Sequence, residues 1–377
     1  MIVIGTDTHK STHALAAVDA GTGQLLGERE IVAKDTGHLE ALRWAHEFDG
    51  EVVWAIEDCR DFSYHLEQAL LAAGERVVRV APRLMGASRR GEREPGKSDQ
   101  IDARAIARAV LREGIERFPV AFLDEDAMEI RLLCDYRETL VNERTRLINR
   151  LRINLVILSP ELEASIPSRK LDYPGQRQRV TRNLRAMLQT ARVRVSREQV
   201  KRIGVLTREA EELKRELRDL VAVHRPELLA ETGCGPLTAA ILIGQTAGAE
   251  RFHSDAHFAR MAGVVPIPVS SGRNHRHRLD RGGNRQINRA LHVIAITRGR
   301  RDPATREYLQ RKEAEGKSRI EALRCLKRLL ARRYHRLLSQ PSPLRQQHRR
   351  IATTTRRGTR LGKKSGRPCN KSPGLQR

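Results

Sequence analysis

The sequence predicts an α/β domain at the N-terminus followed by helical domains. Three apolar segments joined by short turns open the chain, and helical and strand patterns alternate after them up to about residue 112. Beyond that region apolar residues recur at the three- and four-residue spacing of helices, with charged residues in the gaps. This order places one sheet first and long helices after it.

The first part of the chain contains five predicted strands and three predicted helices. A turn signal at Ala20–Gly23 separates two of the strands, and Thr36 is a candidate cap for the first helix. Three strands joined by short turns, then alternating helices and strands, describe a ribonuclease H-like fold, here assigned to residues 1–120. The predicted strands are Ile2–Gly5, His13–Asp19, Gln24–Val32, Val52–Ile56 and Arg76–Val80, and the helices are Thr36–Phe48, Asp61–Ala73 and Ile101–Arg112.

Residues 121–225 form the second predicted unit, which is helical. Val205–Leu220 has a heptad-like pattern that favours an extended antiparallel coiled coil. A plain helical bundle is the alternative, because the same apolar spacing suits both arrangements.

Residues 226–339 predict a mostly helical C-terminal domain. Ala290–Thr297 and Ile320–Leu338 have helical patterns, and a Gly-x-Gly turn lies at Gly233–Gly235. That turn is typical of helix-hairpin-helix modules, whose backbone amides bind phosphate, and equally of a structural hairpin. Residues 340–377 are rich in Pro, Ser, Gly, Thr and Arg, and they predict a disordered basic tail.

The charge of the chain predicts a polyanionic partner. The 377 residues carry a formal net charge of +25, and no Asp or Glu follows Glu321. Eleven Lys and Arg residues lie between Ser342 and Arg377. Because the positive charge is segregated in this way, nucleic acid is the expected partner.

Cysteine content and hydropathy predict a cytoplasmic protein. The five cysteines form no CxxC pair, so a disulfide framework or zinc site is not expected. The N-terminus lacks the pattern of a signal peptide, and no run of about 18 apolar residues predicts a membrane span. Aromatic residues make up only 3% of the chain, which disfavours a base-stacking platform.

Four carboxylates occupy positions that suit a site for two divalent metal ions. Asp7 ends the first apolar run, and Glu57 ends the run of the fourth predicted strand. The first and fourth strands are neighbours in a ribonuclease H-like sheet, so both acids are expected at the same end of the sheet. Asp99 and Asp102 are three residues apart, so they share one face of the predicted third helix. If that helix packs near the strand ends, the four acids converge and predict two Mg²⁺ ions roughly 4 Å apart. Taken alone, Asp7 also suits a turn and Glu57 a surface charge. Asp99 alone also suits a helix cap, and Asp102 alone a partner of the helix dipole.

A Ser-Ser-Gly motif at Ser270–Gly272 lies in a strongly basic stretch. Glycine permits close backbone approach, and a serine hydroxyl that is activated can attack a phosphate. By spacing alone, an ordinary loop is the more common interpretation of this motif. Cations that would hold phosphate follow it, and Arg281–Arg285 opens a helix whose N-terminus is a candidate phosphate site. The candidate nucleic-acid-binding residues are Lys97, Arg273, Arg276, Arg278, Arg281 and Arg285.

At these residues the sequence resembles the DEDD transposases of the insertion sequence one-ten type, relatives of the Piv DNA invertases. The resemblance extends to about Leu338, and the order and spacing of its motifs are specific in combination. The motifs are Ile4–Lys10, Glu57, Gly96–Ala103, Gly233–Thr238, Arg251–Phe252, Ala262–Pro266, Ser270–Gly272 and Gly283–Asn288.

The resemblance implies a RuvC-like N-terminal domain, a coiled-coil region and a C-terminal transposase domain with an essential serine. It implies that Asp7, Glu57, Asp99 and Asp102 bind Mg²⁺. It also implies that the serine forms a covalent phosphoserine link to DNA, that protomers share active sites in a homo-oligomer, and that a structured RNA guides the enzyme. Ser271, directly before the glycine, is the expected nucleophile, with Ser270 as the neighbouring alternative.

One position departs from the family pattern, and three other functions are alternatives. The family often has Ser/Thr-Gly after the glutamate, whereas this chain has Asp58, which is therefore a rival of Glu57. The alternatives to a recombinase are a hydrolytic RuvC-like nuclease for branched DNA, an actin-like ATP-dependent kinase and a non-catalytic nucleic-acid-binding relative. The kinase would need a second glycine-rich phosphate loop, which the sequence lacks, and the intact acids disfavour a non-catalytic relative.

Overall fold

The computed structural model describes residues 1–57, 62–80, 98–121, 124–271, 274–278, 280 and 282–340. For residues 250, 270, 271 and 274–277 it describes the backbone alone. The strands are β1 (Ile2–Thr8), β2 (Thr12–Asp19), β3 (Leu25–Val32), β4 (Val52–Glu57), β5 (Arg76–Val80), β6 (Ile267–Ser271) and β7 (Asn274–Arg278). The helices are α1 (Asp35–Ala45), α2 (Tyr64–Ala72), α3 (Asp99–Glu113), α4 (Glu125–Leu158), α5 (Pro160–Ala164), α6 (Pro174–Ala186), α7 (Ala191–His224), α8 (Pro226–Leu229), α9 (Pro236–Thr246), α10 (Asp255–Met261), α11 (Arg285–Arg301), α12 (Pro303–Ala314) and α13 (Arg319–Ser339).

The first five strands form one mixed sheet in the order β3-β2-β1-β4-β5. β1 and β2 are antiparallel, as are β2 and β3, whereas β4 runs parallel to both β1 and β5. The prediction that the first and fourth strands are neighbours is therefore confirmed. The sheet has the strand order that the ribonuclease H-like prediction requires.

Helices cover both faces of this sheet, because successive side chains of a strand point to opposite sides. Ile4 and Trp54 belong to a buried cluster that also contains residues of α1 and α2. Val3 and Ala55 belong to the cluster on the other face, which includes Ile106 of α3. The uniformly apolar centre of the sheet follows from this double coverage.

The contact between α3 and β1 is very close at Gly5. A methyl group placed on Gly5 would lie 2.0 Å from the carbonyl oxygen of Ala103 and 2.6 Å from the amide nitrogen of Ala107. Only a residue without a side chain fits there, and the helix contributes small alanines to the same contact. Asp7 lies two residues after Gly5, so its side chain points to the same side of the sheet, towards α3.

Two local predictions in this domain are corrected. β1 continues to Thr8 rather than ending at Gly5, so Asp7 lies inside the strand and is not a turn residue. α1 begins at Asp35 with Lys34 at its N-cap, so Thr36 is not the cap. In contrast, Ser98 caps α3 by accepting a hydrogen bond from the amide of Ile101, which leaves Asp99 in the first turn.

The helices α4 and α7 form the predicted antiparallel pair, and each has 34 residues. Arg137 of α4 contacts the carbonyl of Ala210, whereas Asn154, near the other end of α4, contacts Gln199. The residue numbers of these contacts rise along α4 and fall along α7, so the two helices are antiparallel. Its supercoiling, and hence its classification as a coiled coil, stays a prediction, as do the four domain boundaries.

The C-terminal part is helical, with one β-hairpin. Its buried core combines residues of α9, α11 and α13 with the beginning of α4 and the end of α7. β6 and β7 pair as an antiparallel hairpin, so the loop interpretation of the serine motif is wrong for Ser270 and Ser271. None of the helices in the described ranges is both long and apolar enough to cross a bilayer. The predicted tail lies outside the described residues, apart from Gln340.

Gly5→Ala tests the contact between α3 and β1. Because the added methyl would overlap backbone atoms of α3, we expect the free energy of unfolding to fall by about 1–3 kcal/mol. Thermal unfolding followed by circular dichroism measures this loss. The matched control is Gly175→Ala in the first turn of α6, where no heavy atom lies within 4 Å of the added group. Equal melting temperatures for the two variants would contradict the close contact.

Candidate active site

Two of the predicted acids lie at the same edge of the sheet. The parallel register of β1 and β4 runs from Ile2 opposite Val52 to Thr6 opposite Ile56. One residue further along each strand are Asp7 and Glu57. Side chains in register on neighbouring parallel strands point to the same face, so both carboxylates are directed to the face that α3 covers.

The other two acids approach this edge from the start of α3. Asp102 is 4% exposed, whereas the side chain of Asp99 is 58% exposed. Asp102 directly precedes Ala103, the residue that contacts Gly5. The close packing of α3 on β1 therefore carries Asp102 into the interior beside Asp7 and leaves Asp99 at the rim.

His9 joins the acids and was not among the predicted site residues. Its Nε2 lies 3.1 Å from Oδ2 of Asp7 and 3.3 Å from Oδ1 of Asp99. One ligand atom from each of the three residues lies within 4.8 Å of the others. The sequence contains a signal for His9, which lies two residues after Asp7 at a strand end. In an extended chain this spacing places both side chains on the same side of the strand.

Burial raises the pKa of Asp7 above its ordinary value of 3.8. The nearby charges of Asp102 and Asp99 raise that pKa further, while His9 lowers it by charge and by its hydrogen bond. A carboxylate that is 5% exposed and adjacent to two other acids is costly to ionise. The site therefore favours a partner that brings positive charge.

These acids fit a divalent metal such as Mg²⁺. Mg²⁺ takes oxygen ligands, usually one or two carboxylates together with waters and substrate phosphates. Asp7 and Asp102 would supply buried carboxylates, and Asp99 and Glu57 would supply partly exposed ones. A cation among them would offset the repulsion that raises the pKa of Asp7. His9 is placed to hydrogen-bond to the carboxylates.

The serine motif lies in the hairpin of the C-terminal part. The backbone of Ser270 pairs with His275, and that of Ser271 pairs with Asn274. The side chains of both serines, and residues 272 and 273, lie outside the described residues. The assignment of Ser271 as nucleophile stays a prediction, and so does its approach to the acids.

The predicted nucleic-acid contacts are described in part. Arg278 is exposed at the end of β7, and Arg285 is exposed at the first position of α11. The side chain of Arg276 and the whole of Lys97, Arg273, Arg281 and Asp58 lie outside the described residues.

The predicted phosphate site at the N-terminus of α11 stays a prediction. Asn284 caps this helix, and its Oδ1 accepts hydrogen bonds from the amides of Gln286 and Ile287. A phosphate there would compete with this side chain, because the cap already uses two of the amides that an anion would contact.

The chain is similar to transposases over most of its length. Residues 4–160 match the family model for DEDD transposases of the IS110 type, and residues 226–310 match that of the Transposase IS116/IS110/IS902 family. The chain is 27% identical to the 42 kDa protein of insertion element IS900 of Mycobacterium paratuberculosis, over 86% of this chain and 92% of that protein. It is 27% identical to the 44.8 kDa protein of insertion element IS116 of Streptomyces clavuligerus, over 87% of this chain and 92% of that protein. RuvC of T. thermophilus, solved in complex with a Holliday junction substrate, is 19% identical, covers 32% of this chain and 99% of its own, and has a TM-score of 0.25.

Asp7→Asn distinguishes the effect of the buried carboxylate on protein stability from its contribution to metal binding. Because the folded-state pKa of Asp7 is raised, the stability from its bound proton is complete below pH 3.8 and is lost as pH rises through the folded-state pKa. At pH 7 without metal, we therefore expect Asp7→Asn to melt at the same temperature as the unchanged protein or higher. Mg²⁺ should stabilise the unchanged protein by about 2.7 kcal/mol at a hundred times its Kd and leave Asp7→Asn unaffected.

Differential scanning calorimetry with and without Mg²⁺ measures both effects. Asp49→Asn is the matched control, since it removes one exposed carboxylate from the loop after α1 and should keep the Mg²⁺ response. A similar Mg²⁺-dependent rise in all three proteins would show that the metal does not bind at Asp7.

Proposed function

Because the chain belongs to the IS116/IS110/IS902 family of transposases, we propose that it cuts and exchanges DNA strands with divalent metal held at the acidic edge of its sheet. The observation that carries this proposal is the convergence of Asp7, Asp99 and Asp102. Burial, and then the charges of Asp102 and Asp99, raise the pKa of Asp7. Glu57 at the end of the adjacent strand completes the four acids. We expect the protein to work on DNA in the cytoplasm.

Mg²⁺ is the proposed metal, and when bound it would stabilise charge on the attacking and leaving oxygens of a phosphodiester. The acids set the position of that charge, because two of them are buried and fixed by strand and helix packing. His9 restrains Asp7 and Asp99 from the solvent side. These residues supply orientation and electrostatics, while the positive surface elsewhere supplies affinity for DNA.

Ser271 is the proposed nucleophile. Its oxygen would attack a DNA phosphorus and lose its proton to a base, while the bond from phosphorus to the leaving deoxyribose oxygen breaks and that oxygen takes a proton. The product is a serine–phosphate ester, which conserves the energy of the broken bond so that rejoining needs no ATP. Support comes from the motif and from its position at the end of β6, within a basic segment.

Two further proposals come from the family resemblance. We propose that protomers associate and share sites, the acids of one acting with Ser271 of another. We also propose that a structured RNA guides the choice of DNA. The net charge of +25 and the basic residues after Gln340 suit partners of this kind, because each cation can neutralise a backbone phosphate.

A hydrolytic nuclease that acts on branched DNA is the second candidate. The acid cluster alone favours it, because water attack needs the metal and not the serine. The two functions differ in one product: strand exchange through serine leaves a transient covalent protein–DNA adduct, and hydrolysis leaves none.

Ser271→Ala and Asp102→Asn distinguish the two functions on labelled DNA. We expect Ser271→Ala to bind DNA normally and to yield no covalent adduct and no recombinant product, because the attacking oxygen is gone. Asp102→Asn should also bind DNA, yet cut it at least about a hundredfold more slowly. Denaturing gels and peptide mass spectrometry measure the adduct, and Ser270→Ala is the matched control that should still form it.

The outcomes assign the mechanism and the residue. An adduct on Ser270 would correct the nucleophile by one position. DNA cutting by Ser271→Ala at the normal rate without any adduct would overturn the serine mechanism in favour of hydrolysis. Restored activity on mixing Ser271→Ala with Asp102→Asn protein would support sites shared between protomers.

A further inference from the structure

A basic cavity of about 860 Å³ lies next to the serine hairpin and is separate from the acid cluster. Residues 264–266, which lead into β6, line one side, and α13 lines another. Arg278 of β7, Arg324 and Lys327 contribute positive charge, while Val264 and Tyr308 contribute apolar surface. A cavity of this size accommodates a small organic molecule or a nucleotide.

Lys327 lines this cavity and is buried. It is 5% exposed, and its Nζ donates a hydrogen bond of 2.6 Å to Oδ1 of Asn288. Burial and then the charge of Arg324 lower the pKa of Lys327 to about 8. No carboxylate within the described ranges forms an ion pair with Lys327 or Arg324. A buried ammonium beside a second cation is unfavourable unless an anion joins it.

The acidic residues around the cavity already have partners. Glu315 forms ion pairs with Lys312 and Lys317 on the adjacent turn. Glu321 closes the capping box of α13 with Ser318. Because these carboxylates are engaged, the charge that faces the cavity is positive, and the cavity selects an anion.

We propose that this cavity binds a phosphate group of a nucleic-acid strand, between Lys327 and Arg324, with the attached sugar against the apolar wall. This assignment rests on the proposed function, because nucleic acid is the substrate proposed there. Lys and Arg are suited to phosphate, and the Nζ of Lys327 retains two further N–H bonds for an anion after donating to Asn288.

The cavity is connected to the strand that carries Ser271. Asn288, which accepts the hydrogen bond from Lys327, donates to the carbonyls of Ala262 and Gly263 at 3.0 and 2.8 Å. These two residues begin the segment that leads into β6. A phosphate on Lys327 would therefore hold the nucleic acid at a fixed position relative to the base of the serine hairpin.

Labelling with pyridoxal 5′-phosphate tests the site in the full chain without metal. Its aldehyde forms an imine with a lysine amine, releasing water, and borohydride reduces the imine to a stable amine. We expect peptide mass spectrometry to find Lys327 labelled, because a phosphate site would attract the reagent and burial keeps this amine partly unprotonated. A single-stranded DNA oligonucleotide should protect Lys327 at micromolar concentration, and inorganic phosphate only at millimolar concentration.

The labelling result does not depend on DNA cutting. Ser271→Ala protein should be labelled and protected like the unchanged protein, so a failure of the serine mechanism would leave this result intact. Protection by inorganic phosphate but not by DNA would overturn the assignment to nucleic acid. Absence of labelling at Lys327, with exposed lysines labelled, would overturn the phosphate site itself.

Two variants measure the contribution of the cavity to binding. We expect Lys327→Gln and Arg324→Gln each to weaken oligonucleotide binding by about tenfold, and to reduce the salt slope of log affinity by about 0.7. Lys312→Gln is the matched control, because Lys312 is not among the residues that line the cavity and its charge is already ion-paired with Glu315. Its binding should change less than threefold.

Melting temperatures separate a binding role from a structural one. Lys327→Gln should fold with an unchanged or higher melting temperature, because it removes a buried charge and keeps a donor for Asn288. A large loss of melting temperature in Lys327→Gln, together with normal DNA binding by Arg324→Gln, would make Lys327 a structural residue and overturn the proposal.

Discussion

The contact between α3 and β1 at Gly5 is the constraint on which the candidate site depends. Without a side chain at Gly5, the backbone of α3 lies directly against the strand, and Asp102 is carried into the interior beside Asp7. The parallel pairing of β1 with β4 then places Glu57 at the same edge. The absence of a side chain at Gly5 therefore allows the carboxylates to gather at one edge of the sheet, where a divalent metal would offset their negative charge.

Two buried charges of opposite sign remain unfavourable in the protein alone. Asp7 lies among other acids, and Lys327 lies beside Arg324 without an acid partner in the described ranges. Each costs stability that an apolar core residue would not. The substrate and metal of a strand-transfer enzyme would offset both charges. A metal cation would offset the charge of Asp7, and a phosphate would offset that of Lys327.

Local patterns were sufficient to predict the sheet and its acids. The apolar runs that end in Asp7 and Glu57 indicated strands buried on both faces of the sheet. The spacing of Asp99 and Asp102 indicated that both lie on one face of a helix. The hairpin β6–β7 was not predicted, because its serines and basic residues have the composition of a loop and its pairing depends on the surrounding helices. Lys327 was also missed, since a lysine in a basic helix gives no sign in sequence that tertiary packing will bury it.

The account rests on the claim that the acidic edge of the sheet binds catalytic metal. Anomalous diffraction from crystals of the full chain soaked in Mn²⁺ tests this claim most directly. We expect a manganese peak about 2 Å from carboxylate oxygens of Asp7 and Asp102, with a second peak roughly 4 Å away when DNA is bound. Manganese bound only at other carboxylates, with Asp7 and Asp102 free of metal, would contradict the account.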